Sequence, residues 1–137
     1  MKSTLKVHLR RNERLFANGA VLRPDRKVTI EFLNDVTFLL ESHVMQEDQA
    51  VTSLRQLYFV LQSILIDPNN AAPARAMYER SYVLLHTHFR SEVLLAGLNE
   101  ADEMVRSERV FEAMKIIRRL FPIEDEIMFG ETLLAAG

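Results

Sequence analysis

Apolar and polar positions alternate with a period of two along the first forty residues. Leu5, Val7 and Leu9 alternate with Lys6, His8 and Arg10, and Val28, Ile30 and Phe32 alternate with Thr29 and Glu31. Val36, Phe38 and Leu40 repeat the pattern. This period puts one set of side chains on one face of a strand. Two further short runs, RLFA at 14–17 and AVLR at 20–23, flank Asn18-Gly19. That dipeptide favours a type I′ hairpin, whose two turn residues both need positive φ. Pro24-Asp25 marks a loop and Asn34-Asp35 a second tight turn. Four or five short antiparallel strands are expected.

From about residue 51 the period lengthens to that of a helix. Leu54, Leu57, Tyr58, Leu61, Ile64 and Leu65 recur at three-and-four spacing. Phe59, Val60 and Ile66 make the other side apolar too, which predicts a central, largely buried helix capped by Thr52 or Ser53. Asp67-Pro68-Asn69-Asn70 ends it. A second helix has Ala74, Met77, Tyr78, Ser81, Leu84 and Leu85 on one face. A third follows the cap Ser91 and carries Leu94, Leu98, Ala101 and Val105. A fourth starts near Ser107, packs through Val110, Met114, Ile117 and Phe121, and is expected to stop or kink at Pro122.

Strands followed by helices, without alternation, predict an α+β fold: N-terminal antiparallel strands and hairpins packed with a C-terminal bundle of about four helices. The expected organisation is one domain over residues 1–130, with a β-rich basic part at 1–45 and a helical part at 50–130. Residues 131–137 read as a frayed tail.

The chain has 137 residues, 48% of them hydrophobic, enough for one core. It has no cysteine, which excludes disulfides and thiolate metal sites. MKSTLKVHLR lacks the continuous apolar stretch of an export signal, and no run has the roughly 18 apolar residues of a membrane helix. The expectation is a cytoplasmic protein with no membrane partner. The net charge of -2 is unevenly spread. Residues 1–31 hold eight basic and three acidic side chains, a net +5, and the remainder holds nine and sixteen, a net -7. Such asymmetry points to a polyanionic partner for the basic end, with a solvated charged surface as the competing reading.

The residues for catalysis do not converge. The four glycines form no phosphate-binding loop or dinucleotide fingerprint, and no Gly-x-Ser-x-Gly elbow occurs. His86 and His88 are two apart on a helix and point to different sides, and His8 and His43 are isolated in sequence. No metal site, no cofactor and no enzyme activity is expected. Glu124-Asp125-Glu126 reads as a solvated helix end.

The basic strands are the remaining candidate for function. Lys6, His8 and Arg10 share the face opposite Leu5, Val7 and Leu9, and Arg14 and Phe16 share the face opposite Leu15 and Ala17. An exposed ring between cations is one ingredient of a single-stranded RNA platform, where bases stack and cations meet phosphates. With Arg11, Arg23, Arg26 and Lys27 these residues form the candidate RNA-binding set. The competing reading has Phe16 packed under the helices. A second basic group, Lys115, Arg118 and Arg119, complements the dipole at a helix end. Met77, Tyr78, Tyr82, Met104 and Met114 could line a groove for a protein, although residues of this kind at helical spacing usually form core.

The segments NGAVLR (18–23), LNDVTFLLE (33–41), LRQLYFVLQSILIDP (54–68) and VFEAMKIIRRLFPIE (110–124) resemble those of the FlbT family in the same order. The likeness spans nearly all of residues 2–128. The resemblance implies a role in flagellum biogenesis in alphaproteobacteria. In that role a post-transcriptional regulator associates with the 5′ untranslated region of a flagellin message and promotes its degradation. In some relatives the effect is activation. It also implies a small protein partner, FlaF. Where many relatives carry a Pro-Gly turn before Glu13-Arg14, this chain has Arg10-Arg11-Asn12, which adds positive charge. The resemblance carries over no RNA-contacting residues. The alternative is an adaptor or chaperone-like module that binds flagellin or a FlaF-like partner through its helices, with only an indirect effect on the message.

Overall fold

A computed structural model of the chain describes residues 5–34 and 36–136, the last five by their backbone. Five strands precede four helices: β1 (Leu5–Leu9), β2 (Leu15–Ala17), β3 (Ala20–Leu22), β4 (Val28–Phe32) and β5 (Phe38–Leu40), then α1 (Ser53–Ile66), α2 (Ala72–His88), α3 (Glu92–Arg106) and α4 (Val110–Ala136). The α+β class is as expected, with antiparallel strands first and four helices after. The expected turn at Asn34-Asp35 includes a residue outside the described ones.

The strands divide into two sheets. β1 pairs antiparallel with β4, matching Leu5 with Phe32, Val7 with Ile30 and Leu9 with Val28, so the apolar sets of both strands share one face. β2 lies between β3 and β5 in the second sheet. The β2–β3 hairpin turns through Asn18 and Gly19 at φ 49° and 83°, the positive values its type requires.

The second sheet is a middle layer. Leu15 on one face joins Val7 and Leu9 in a small core flanked by Phe38 and Leu40, where the Phe32 and Phe38 rings stack at 5.0 Å. Phe16 and Leu39 on the other face pack against the helical core. The order is therefore β1–β4 sheet, β3–β2–β5 sheet, helices.

The helices supply the main core. α1 is central, with Leu54, Leu57 and Leu61 fully buried, and Thr52 caps it by accepting from the Arg55 amide. Buried Gln62 exchanges two hydrogen bonds with the Met45 backbone, at 2.8 and 2.9 Å, and so ties the connecting segment to α1. Ser91 caps α3, and Glu108, at φ 60°, turns the chain into α4. At Gly97 of α3 an added Cβ would lie 2.6 Å from Leu120, so the two helices approach closely there.

Two expectations need correction. Met77 and Leu84 of α2 are 48% and 69% exposed while Tyr78 and Leu85 are buried, because α2 rests mainly on α1 and covers only a narrow stripe. Pro122 does not stop α4. It sits on an exposed side, where water can take the place of the amide donor that proline lacks. The α4 backbone runs on through residues 131–136.

Candidate nucleic-acid interface

Lys6 and His8 occupy the outer face of the β1–β4 sheet, opposite Glu31 and Thr29 respectively. The His8 ring and the Thr29 hydroxyl are joined by a 2.9 Å hydrogen bond. At the Leu9–Val28 end of this sheet the chain leaves β1 through Arg10 and Arg11 and enters β4 through Arg26 and Lys27.

A turn and a loop meet at that end. Asn12, in the left-handed region at φ 67°, donates its amide to the Pro24 carbonyl at 2.9 Å. The turn closes on itself through the Glu13 amide to the Arg10 carbonyl, and the Glu13 carboxylate accepts from the Arg10 amide at 3.0 Å. Arg10, Arg11, Arg23, Arg26 and Lys27 are thereby gathered at one tip, all exposed. Glu13 is occupied by backbone, and Asp25 pairs with Arg26 at 3.2 Å in an exposed bridge of little energetic weight. Among the described residues Arg10, Arg11, Arg23 and Lys27 form no ion pair.

Arg14 and Phe16 do not join this surface. The Arg14 guanidinium donates twice to Glu41 Oε1, at 3.1 and 3.0 Å, and its backbone amide donates to Oε2 at 2.8 Å. Those contacts, the backbone hydrogen bond foremost, hold the Glu41 carboxyl below the usual carboxylate range. The Phe16 ring lies 5.9 Å from the Arg14 guanidinium and faces the helical core, so it is not an open ring for stacking. Alternation along β2 reports two covered faces, not one covered and one wet. Of the nine candidates, five share the tip, Lys6 and His8 lie along the adjoining sheet face, and two belong to the junction between layers.

A second cationic feature adjoins the same surface, and sequence spacing alone does not join the two. Lys115 and Arg118 of α4 lie over the Phe111 and Tyr58 rings, at 4.5 and 5.5 Å, and border a cleft that Lys6 and His8 also line. Only the fold brings α4 beside β1, so no local pattern could have linked them. Among the described residues no group of three or more His, Cys, Asp or Glu could hold a metal ion, and no helix is long and apolar enough to cross a membrane.

Comparison with known proteins gives a consistent result. A family model described as "Flagellar protein FlbT" matches residues 5–128. A probable flagellum biosynthesis repressor protein FlbT of Rhizobium etli is 53% identical over 133 residues, covering 97% of this chain and 89% of that protein. The protein of the same description from Agrobacterium fabrum is 50% identical over 136 residues, covering 99% and 91%. That from Mesorhizobium japonicum is 51% identical over 130 residues, covering 95% and 88%. No solved structure matches the chain.

Proposed function

The chain belongs to the FlbT family of flagellar proteins, and from that premise we propose that it is a non-enzymatic, cytoplasmic regulator of flagellum synthesis that acts on flagellin messenger RNA. Its partner is the 5′ leader of the message, and its binding alters translation or degradation. The relatives described as flagellum biosynthesis repressors support the regulatory role. The observation that carries the RNA reading is the basic tip, where the Asn12–Pro24 hydrogen bond joins two arginine-bearing segments and four cations form no ion pair among the described residues. Cations presented this way meet backbone phosphates and position the strand without reading its sequence. Specificity then comes from groups along the β1–β4 face, where Lys6 and His8 stand. Filter binding of the pure protein to a flagellin 5′ leader at two salt concentrations tests this: binding is expected, and weaker at the higher salt. Protein that ignores the leader at both concentrations would overturn direct contact.

One feature favours a second reading. Met77, Val83 and Leu84 expose large apolar surface on α2. On this reading the chain is an adaptor for flagellin or a FlaF-like protein, and its effect on the message is indirect. Gel filtration with such a partner, beside the leader titration, separates the two.

A further inference from the structure

Among the described residues β1 is paired on one side only, by β4, and β5 on one side only, by β2. A cleft of about 570 Å³ runs between these two strands and the helices. It is bordered by four consecutive residues of β1, Leu5 to His8, and by all three of β5, with none from β4 or β2. Consecutive residues project to opposite faces of a strand, so a cleft that touches all of them runs along the strand edge. The rims are therefore the unpaired edges. Among the described residues the Leu5–Leu9 backbone forms no hydrogen bond outside its ladder with β4. An open edge of this kind is a template for another strand.

The surroundings select the guest. Lys6 stands on the β1 rim, Lys115 and Arg118 on the α4 wall, and among the described residues no acidic side chain lines the cleft. Arg118 and Lys6 form no ion pair among the described residues, while Lys115 leans toward Glu112 at 3.7 Å. Leu5, Phe38 and Met114 give the cleft apolar lining, beside His8 and His43. A nucleic-acid strand fits less well, because base stacking needs an open ring. Tyr58 is 3% exposed and both it and Phe111 already carry a cation against their rings.

We propose that this cleft receives an extended acidic segment of a partner protein, which adds a strand to the open edge of β1 and places its carboxylates against Lys6, Lys115 and Arg118. Backbone hydrogen bonds to β1 supply the affinity, and alternate side chains divide between the apolar lining and the cations. The five residues of β1 offer an edge of about 17 Å, enough for a short linear motif. This site lies apart from the basic tip, sharing only Lys6 and His8 with the proposed RNA face, and does not depend on the RNA reading.

A library of random decapeptides displayed on phage and panned on the purified full chain tests the proposal, with the tightest peptide then synthesised and labelled. The recovered peptides are expected to alternate Asp or Glu with apolar residues. Binding by fluorescence anisotropy is expected to weaken roughly tenfold in the double variant Lys115→Glu, Arg118→Glu, and to be unchanged in Arg11→Ala. N-methylation of alternate peptide backbone nitrogens, which leaves the protein untouched, is expected to abolish binding in one of the two registers. Hydrogen exchange of the β1 amides is expected to slow in the complex. Recovery of no acidic peptide would overturn the proposal. So would binding indifferent to both N-methylation registers, a single-stranded oligonucleotide that displaces the peptide and is itself weakened by Lys115→Glu, Arg118→Glu, or a second copy of the chain found occupying the β1 edge.

Discussion

The carboxylate of Glu124 on α4 accepts a hydrogen bond from the Leu54 amide in the first turn of α1, at 2.9 Å and wholly out of solvent. The first amides of a helix have no partner within it. Here the Thr52 hydroxyl takes that of Arg55, and a residue seventy positions away takes that of Leu54. The other oxygen of Glu124 lies 3.6 Å from the Arg55 guanidinium, which is held in turn by Asp125 through two bonds of 2.8 and 3.0 Å. Negative charge at this end also complements the α1 dipole.

Removing the Glu124 carboxylate leaves a buried amide unsatisfied and Arg55 with one partner fewer. Glu124→Ala is expected to destabilise the protein by about 2–4 kcal/mol, read as a lower urea midpoint at unchanged slope. A loss below about 0.5 kcal/mol, the range of ordinary surface changes, would mean that this contact does not anchor α1 to α4.

The α2–α3 contact rests on a similar tie. The Tyr78 hydroxyl donates to Asp102 at 2.8 Å, and burial, reinforced by that bond, pushes its pKa far above the ordinary tyrosine range. Above that range the unfolded chain gives up a proton that the folded chain keeps, so stability falls as pH rises. Tyr78→Phe is expected to cost about 1 kcal/mol near neutrality and to make the alkaline fall shallower. Urea midpoints measured at neutral and alkaline pH for both proteins check the two effects together.

At acid pH the sign reverses. The Arg14 backbone amide and then its guanidinium hold the Glu41 carboxyl below the usual range, and hydrogen bonds from Arg55 do the same for Asp125. Between the lowered and the ordinary values the unfolded chain binds more protons. The stabilisation is thus complete above the ordinary carboxylate range and is lost as pH falls through the lowered values. The double variant Glu41→Gln, Asp125→Asn is expected to show a shallower acid limb of stability against pH. A limb identical to that of the parent would place the titration elsewhere.

Much of this fold is legible in the sequence. Period-two alternation locates the strands, Asn18-Gly19 locates the hairpin, and the shift to three-and-four spacing after residue 51 locates α1. Alternation says that a strand has two faces without saying what covers each. It cannot show that Phe16 lies on a strand sandwiched between a sheet and helices, or that Arg14 just before it is tied to Glu41. In sequence Glu124 reads as one of three solvated carboxylates, because its partners, Leu54 and Arg55, come from across the bundle. The split of β1 and β2 into separate sheets, and the cleft between β1 and α4, arise from pairings that no local pattern encodes.

Arg11 and Arg14 are the same residue type three positions apart, yet the fold gives them different work. Arg14 is fixed to Glu41 by its backbone amide and its guanidinium and bridges β2 to the segment after β5, whereas Arg11 stands exposed at the tip with no ion pair among the described residues. If RNA is held at the tip, the triple variant Arg11→Ala, Arg23→Ala, Lys27→Ala is expected to flatten the salt dependence of leader binding. On a single strand the slope falls by about 0.7 for each phosphate that is no longer neutralised, or about 2 in all, with stability within about 0.5 kcal/mol of the parent. Arg14→Ala is expected to behave in the opposite way, lowering the urea midpoint and leaving the slope in place. A salt series of filter-binding titrations beside urea melts distinguishes them. The reverse pattern, a slope that responds to Arg14 and ignores the tip, would mean that the strand is gripped at the junction between the layers, where Glu41 would first have to be displaced.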